Sequence, residues 1–145
     1  MDLNEARDRL LLATLPHVPF EGWSNRALRE AATDLGMDPT MPERLFPGGP
    51  VQMVDHFNDY ADRRMVAELD ALPLAEMRLT GKVRAAVRAR LEPWSADREA
   101  VRRALTLLAL PQNASVAVRA TWRTVDTIWW TVGDSSTDFS YYTSA

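Results

Sequence analysis

Three carboxylates, Asp55, Asp59 and Asp62, fall at i, i+4 and i+7 in a helical stretch, a spacing that puts acids on one face. A di-iron or other carboxylate centre of that kind also needs a Glu-x-x-His pair on neighbouring helices, and the chain has none. The aspartates therefore read as a solvated face. The two histidines, His17 and His56, are too few for a His-built metal centre. The absence of cysteine removes disulfides, thiolate nucleophiles and Cys-ligated zinc. No Ser/His/Asp set, Gly-rich phosphate loop or paired-carboxylate site emerges, so the expectation is a protein that is not an enzyme and holds no metal.

The elements that would position any site are helical. The chain has 145 residues, is 46% hydrophobic and carries a net charge of −3, the range of one folded domain with a sizeable core. No apolar run reaches the ~18 residues a membrane span needs, and the N-terminus lacks the pattern of a signal or transit peptide. Lys82 is the sole lysine beside sixteen arginines, which fits genome composition.

Helical periodicity runs through 3–15, after which the prolines of 16–22 suggest an extended connector. Ser24 reads as the N-cap of a helix ending at Gly36, with Trp23 and Leu28 placed as a hydrophobic staple. A short helix capped by Asp38, with Pro39 at its first position, stops before Phe46-Pro47. The turn at 47–50 precedes a long helix over 51–71, and Pro73 separates that from a helix over 74–92. Ser95 reads as the cap of 96–110, and Pro111 introduces a helix over 112–132 that ends at Gly133. A loop at 134–139 would lead into an eighth helix. The fold class is all-α, with seven helices and the first turn of an eighth.

A lead helix followed by two short helices around a Gly turn is a helix-turn-helix layout. The stretch ALREAATDLGMDPTMPERLFP resembles the DNA-binding region of TetR-type regulators. The resemblance implies a three-helix unit over 1–49 and a helical ligand-binding bundle over 50–145. Charge argues against DNA: residues 1–50 hold eight acids and five bases, so the whole acidic excess lies where phosphates would be. The recognition segment PTMPERL offers one arginine, and Gly48-Gly49 stand where such regulators usually place a base. A TetR-type regulator that binds DNA and a small apolar ligand is thus the alternative, and no nucleic-acid partner is expected.

Further motifs are the PHVPF…GW opening, the LALPQN turn, the WRT-D-IW helix and the GDSSTDF loop. Together they resemble the ubiquinone (coenzyme Q) biosynthesis accessory family, lipid-binding proteins with a TetR-like fold. The resemblance implies a bound isoprenoid lipid or quinone intermediate, no catalytic cofactor, and delivery to the di-iron demethoxyubiquinone hydroxylase. It further implies a homodimer, a C-terminal amphipathic helix that docks peripherally on membranes, and a bacterial cytoplasmic or inner-membrane location, mitochondrial in eukaryotic relatives. The chain stops at Ala145, where the eighth helix is expected to be starting, so the dimer helices and the membrane helix are expected to be missing from this sequence.

Within that frame, lipid contacts are expected from inward helix faces: Val54, Phe57, Ala61 and Met65, then Met77, Val83 and Val87, then Leu105, Leu108 and Val125. The plainer alternative for each is a filled core. The family's partner surface maps to the helix carrying Asp126, Trp129 and Trp130. Trp122, Val125 and Trp129 form one stripe there, and Trp130 sits about 100° round from Trp129, so at least one indole should face outward. Lys82, Arg84, Arg88 and Arg90 are expected opposite Val83 and Val87; they would suit anionic headgroups, though an ordinary amphipathic helix needs no such role.

Overall fold

The computed structural model describes residues 2–136, and these fold as eight α-helices with short 3-10 turns between them and no strand. The helices are α1 (Leu3–Thr14), α2 (Val18–Glu21), α3 (Asn25–Asp34), α4 (Met41–Leu45), α5 (Pro50–Asp70), α6 (Leu79–Leu91), α7 (Arg98–Leu108) and α8 (Ala114–Ser136). The all-α expectation holds among the described residues.

Local chemistry sets most boundaries. Asp2 caps α1 by accepting from the Glu5 amide, and Ser24 Oγ accepts from the Ala27 amide at 3.1 Å to start α3. Gly36 ends α3 at φ +68, with its amide on Thr33 O and the Met37 amide on Ala32 O, the paired bonds of a Schellman cap. The connector expected at 16–22 is instead helical. Pro16 and Pro19 occupy first-turn positions of a 3-10 turn and of α2, where a missing N–H costs nothing. Asp38 accepts from the Thr40 amide and hydroxyl, and α4 begins after it, later than Asp38-Pro39 suggested. Ser95 does not cap α7: it lies inside a 3-10 turn over Glu92–Asp97, and α7 begins at Arg98. Gly133 does not end α8, which continues to Ser136; the remainder of the expected loop and eighth helix lies outside the described residues.

α5 is the inner helix. Met53, Val54, Phe57, Ala61, Met65 and Leu69 are all buried along it. Its first half joins one cluster with Leu10, Leu11, Leu28, Phe46, Trp94 and Ala100, so the core is continuous across residue 50. Aromatic rings run through that cluster: Trp23 meets Phe57 at 5.7 Å, and Phe57 meets Trp94 edge-on at 4.8 Å. The Trp23 indole donates to Ala100 O at 3.0 Å, tying the α2–α3 junction to α7. The second half of α5 packs on Leu74, Ala86, Ala89, Ile128 and Val132.

The three aspartates of α5 do not form a solvated face. Asp62 is 4% exposed and accepts from Arg90 Nε of α6 at 2.9 Å and from the Thr124 hydroxyl of α8 at 2.8 Å. Asp55 accepts from Arg123 of α8, and Asp59 from Arg63 one turn along. Asp55 and Asp62 serve as ties between helices and Asp59 pairs within its own, and no group of three His, Asp or Glu able to hold a metal occurs among the described residues. Asp8 of α1 meets both Arg63 and His56 of α5. The Arg63 guanidinium holds its carboxyl below the ordinary value against partial burial, with a smaller contribution from His56.

Two outcomes follow from these ties. Asp62→Ala leaves Arg90 buried without its counter-charge and should cost about 3–5 kcal/mol in urea unfolding, whereas replacing the pair together (Asp62→Leu with Arg90→Met) should recover most of that. Asp8, with its folded pKa depressed, contributes stability in full above the unfolded value of about 3.9. That contribution is lost as pH falls through the lower folded value, so the stability gap between wild type and Asp8→Asn should be open at neutral pH and close below about pH 3.9.

Candidate functional site

A concavity of about 790 Å³ opens between the middle of α5, the α6–α7 turn, α7 and α8. That volume lies within the few-hundred to one-thousand Å³ of small-molecule sites. Phe57 and Trp94 form its inner wall, Val101, Ala104, Leu105 and Leu108 its α7 side, and Ala120, Thr121 and Val125 its α8 side. Leu91 stands at the rim where α6 ends.

The sequence places these walls in specific ways. Ala100 and Ala104 are the buried positions of α7, and they leave Leu105 and Leu108, round the helix, to face the open space. Ala120 on α8 is buried with no side chain beyond Cβ, so α7 and α8 stay apart without a large residue to close the gap. Pro93 and Trp94 in the 3-10 turn bend the chain from α6 to α7 and seat the Trp94 ring on Phe57 and Tyr60. The Trp94 Nε1 is buried and has no hydrogen-bond partner among the described residues.

One end of the groove is polar. Asn58, Arg90 and Thr124 line it, with Arg90 donating to Asn58 Oδ1 at 3.1 Å and both Arg90 and Thr124 held by Asp62. On the α7 side Arg98 and Arg102 reach the lining, Arg102 being engaged by Glu99. The Arg102 and Arg103 guanidinium groups hold the Glu99 carboxyl down to about 2. Glu92 and Ser95 also reach the lining at the α6–α7 turn. The arrangement suits holding an amphiphile, with an apolar length along α7 and α8 and hydrogen-bonding groups at one end.

The ten residues expected to contact lipid separate into three groups. Phe57, Leu105, Leu108 and Val125 meet in the groove. Val54, Ala61 and Met65 are core, 1% exposed or less, and line no concavity among those described. Met77 is half-buried against the lower core, while Val83 and Val87, 42% and 44% exposed, sit on the outer face of α6 and not inward. The reason is close helix packing: α6 turns Lys82, Ala86 and Ala89 toward α5 and α8, and its larger apolar residues are left outside. Arg84 and Arg88 lie beside Val83 and Val87 on that outer face, not opposite them. Trp94 and Ala120 line the groove without having been expected; Trp94 stands alone between two helical stretches, and alanine carries no periodic signal of a cavity.

On α8, Asp126 is exposed, and Trp122, Trp129 and Trp130 are 72%, 73% and 61% exposed. With Val118 and Val125 they form a broad outward apolar face. The expected outward indole is thus three indoles, and the stripe Trp122–Val125–Trp129 is a surface, not core.

Similarity to known proteins includes the same helix. The COQ9 family pattern matches residues 114–144, which begin with α8. The chain is 34% identical over 142 residues to the mitochondrial ubiquinone biosynthesis protein COQ9 of Drosophila melanogaster, covering 94% of this chain and 43% of that one. It is 33% identical to the COQ9 of Rattus norvegicus and 32% to that of Homo sapiens, in each case over 96% of this chain and 46% of the relative. The chain spans a little under half the length of these curated relatives. Nearly all of the chain's own residues are thus homologous to proteins named COQ9 and named for ubiquinone biosynthesis.

Proposed function

We propose that the chain acts in ubiquinone biosynthesis as a lipid-binding accessory protein without catalysis of its own, carrying an isoprenoid or quinone intermediate to the demethoxyubiquinone hydroxylase. The observation that carries the reading is the groove of about 790 Å³, apolar along α7 and α8 and polar at the Asn58–Arg90–Thr124 end. A quinone with a prenyl tail has that polarity: ring oxygens that accept hydrogen bonds at one end, and hydrocarbon for the rest. The names of the relatives support the pathway. Phe57, Leu105, Leu108 and Val125 are the contacts proposed within the original set, with Trp94 and Ala120 added.

The exposed face of α8 is the proposed meeting surface for the hydroxylase, with Asp126, Trp129 and Trp130 as its contacts. Large exposed indoles on a rigid helix are the side chains that dominate binding energy at protein interfaces. A TetR-like organisation, with 1–49 as a helix-turn-helix unit and 50–145 as the ligand-binding bundle, completes the reading. The compartment proposed is the one where the hydroxylase works, at the mitochondrial inner membrane or its bacterial counterpart.

Lipid extracted from the protein purified out of a ubiquinone-producing host should contain a prenylated species by mass spectrometry. Leu105→Asp or Val125→Asp, both solvent-facing and therefore tolerated by the fold, should lower that lipid at least tenfold per mole of protein. Equal lipid in wild type and variants would contradict the groove. Capture of the purified hydroxylase should fall at least tenfold for Trp129→Ala, in line with a hot-spot cost of about 2 kcal/mol, while Trp122→Ala should fall less. Unchanged capture would remove α8 as the partner surface.

A further inference from the structure

We propose that the outer face of α6 is a second lipid-facing surface, one that rests on anionic lipid headgroups and sets the mouth of the groove against the bilayer. Leu79, Val83, Val87 and Leu91 recur every four residues and are all exposed, a continuous apolar row about 18 Å long. Arg84 and Arg88 form the adjacent row, and Arg78 flanks its start. Neither Arg78 nor Arg84 makes an ion pair among the described residues; Arg88 is engaged only by Glu92, one turn on, with both side chains largely exposed.

The charge on this segment runs against the rest of the chain. Residues 77–91 carry five bases and no acid, although the whole chain is net negative at −3. Lys82 and Arg90 are turned inward, so the outward charge comes from Arg78, Arg84 and Arg88. A basic, apolar-lined helix face on an acidic protein is drawn to an anionic surface. A row of leucine and valine between arginines matches lipid, where apolar side chains enter the acyl boundary and guanidinium groups stay with phosphates. Nucleic acid offers phosphates but nothing for that row, and a second copy of the same face would set arginine against arginine.

Leu91 gives the surface its geometry. It ends the apolar row and also stands on the rim of the groove, so a bilayer seated on α6 touches the groove opening through one residue. The proposal rests on α6 and not on what occupies the groove, so it can fail while lipid binding in the groove stands, and the reverse.

The test is co-sedimentation of the chain with vesicles of phosphatidylcholine alone and of phosphatidylcholine mixed with phosphatidylglycerol, at low and at physiological salt. Binding is expected to the mixed vesicles only, weakened by salt. Arg84→Gln should weaken it about fivefold, the effect of removing one base near an anionic surface. Val83→Glu with Val87→Glu should reduce it at least tenfold while helicity and the urea midpoint stay at wild-type values, since both positions are exposed. Trp122→Ser with Trp129→Ser on α8 should leave it unchanged. Absence of binding to mixed vesicles, equal binding to phosphatidylcholine alone, loss only in the α8 variant, or an α6 variant that alters self-association instead of vesicle binding would each overturn the proposal.

Discussion

The carboxylate of Asp62 has almost no access to solvent, and a charge in that position must be matched by its neighbours. It is matched from two directions, by Arg90 of α6 and by Thr124 of α8, so a single side chain on the inner helix fixes where both outer helices sit. The consequences reach both candidate surfaces. With Arg90 drawn inward, α6 can approach only through small residues, Ala86 and Ala89, and its valines and leucines turn outward. With Thr124 drawn inward on α8, Val125 falls on the groove and Trp122 and Trp129 fall on the open side. The same tie supplies the polar end of the groove, so one buried charge shapes the cavity and decides what faces away from it.

The other end of the groove depends on aromatic packing. Trp94 is held against Phe57, and Phe57 against Trp23, whose indole reaches across to the α7 backbone at Ala100. The N-terminal helices are therefore part of the groove's support, not an independent appendage, because their core is continuous with the wall. Loss of a ring in this series would move α7 relative to α5, and with it Leu105 and Leu108.

The sequence disclosed the elements more readily than their orientation. Ser24 and Gly36 announce a cap and a stop that depend on local hydrogen bonds alone, and the structure has both. Pro16 and Pro19 misled because proline at the first turn of a helix and proline in an extended connector look alike until the neighbours are known. The facing of α6 was hidden for a different reason. Amphipathic reading assigns the largest apolar residues to the core, yet close helix packing rewards alanine, and the cations Lys82, buried, and Arg90, partly buried, turn inward toward partners that no local pattern reveals. Four of the ten expected lipid contacts meet in the groove because Phe57, Leu105, Leu108 and Val125 come from helices whose relative placement is set by Asp62 and Trp94, not by their own periodicity.

The central claim is that the groove beside Trp94 takes a prenylated quinone. A variant in which Trp23, Trp122, Trp129 and Trp130 are replaced by phenylalanine leaves Trp94 as the sole indole, and a quinone within contact distance quenches its fluorescence. Titration with a short-chain ubiquinone analogue should quench that emission saturably, and adding Leu108→Asp should abolish the saturable part. Quenching that rises linearly with quinone, with or without Leu108→Asp, would mean collision from solvent and would contradict the account.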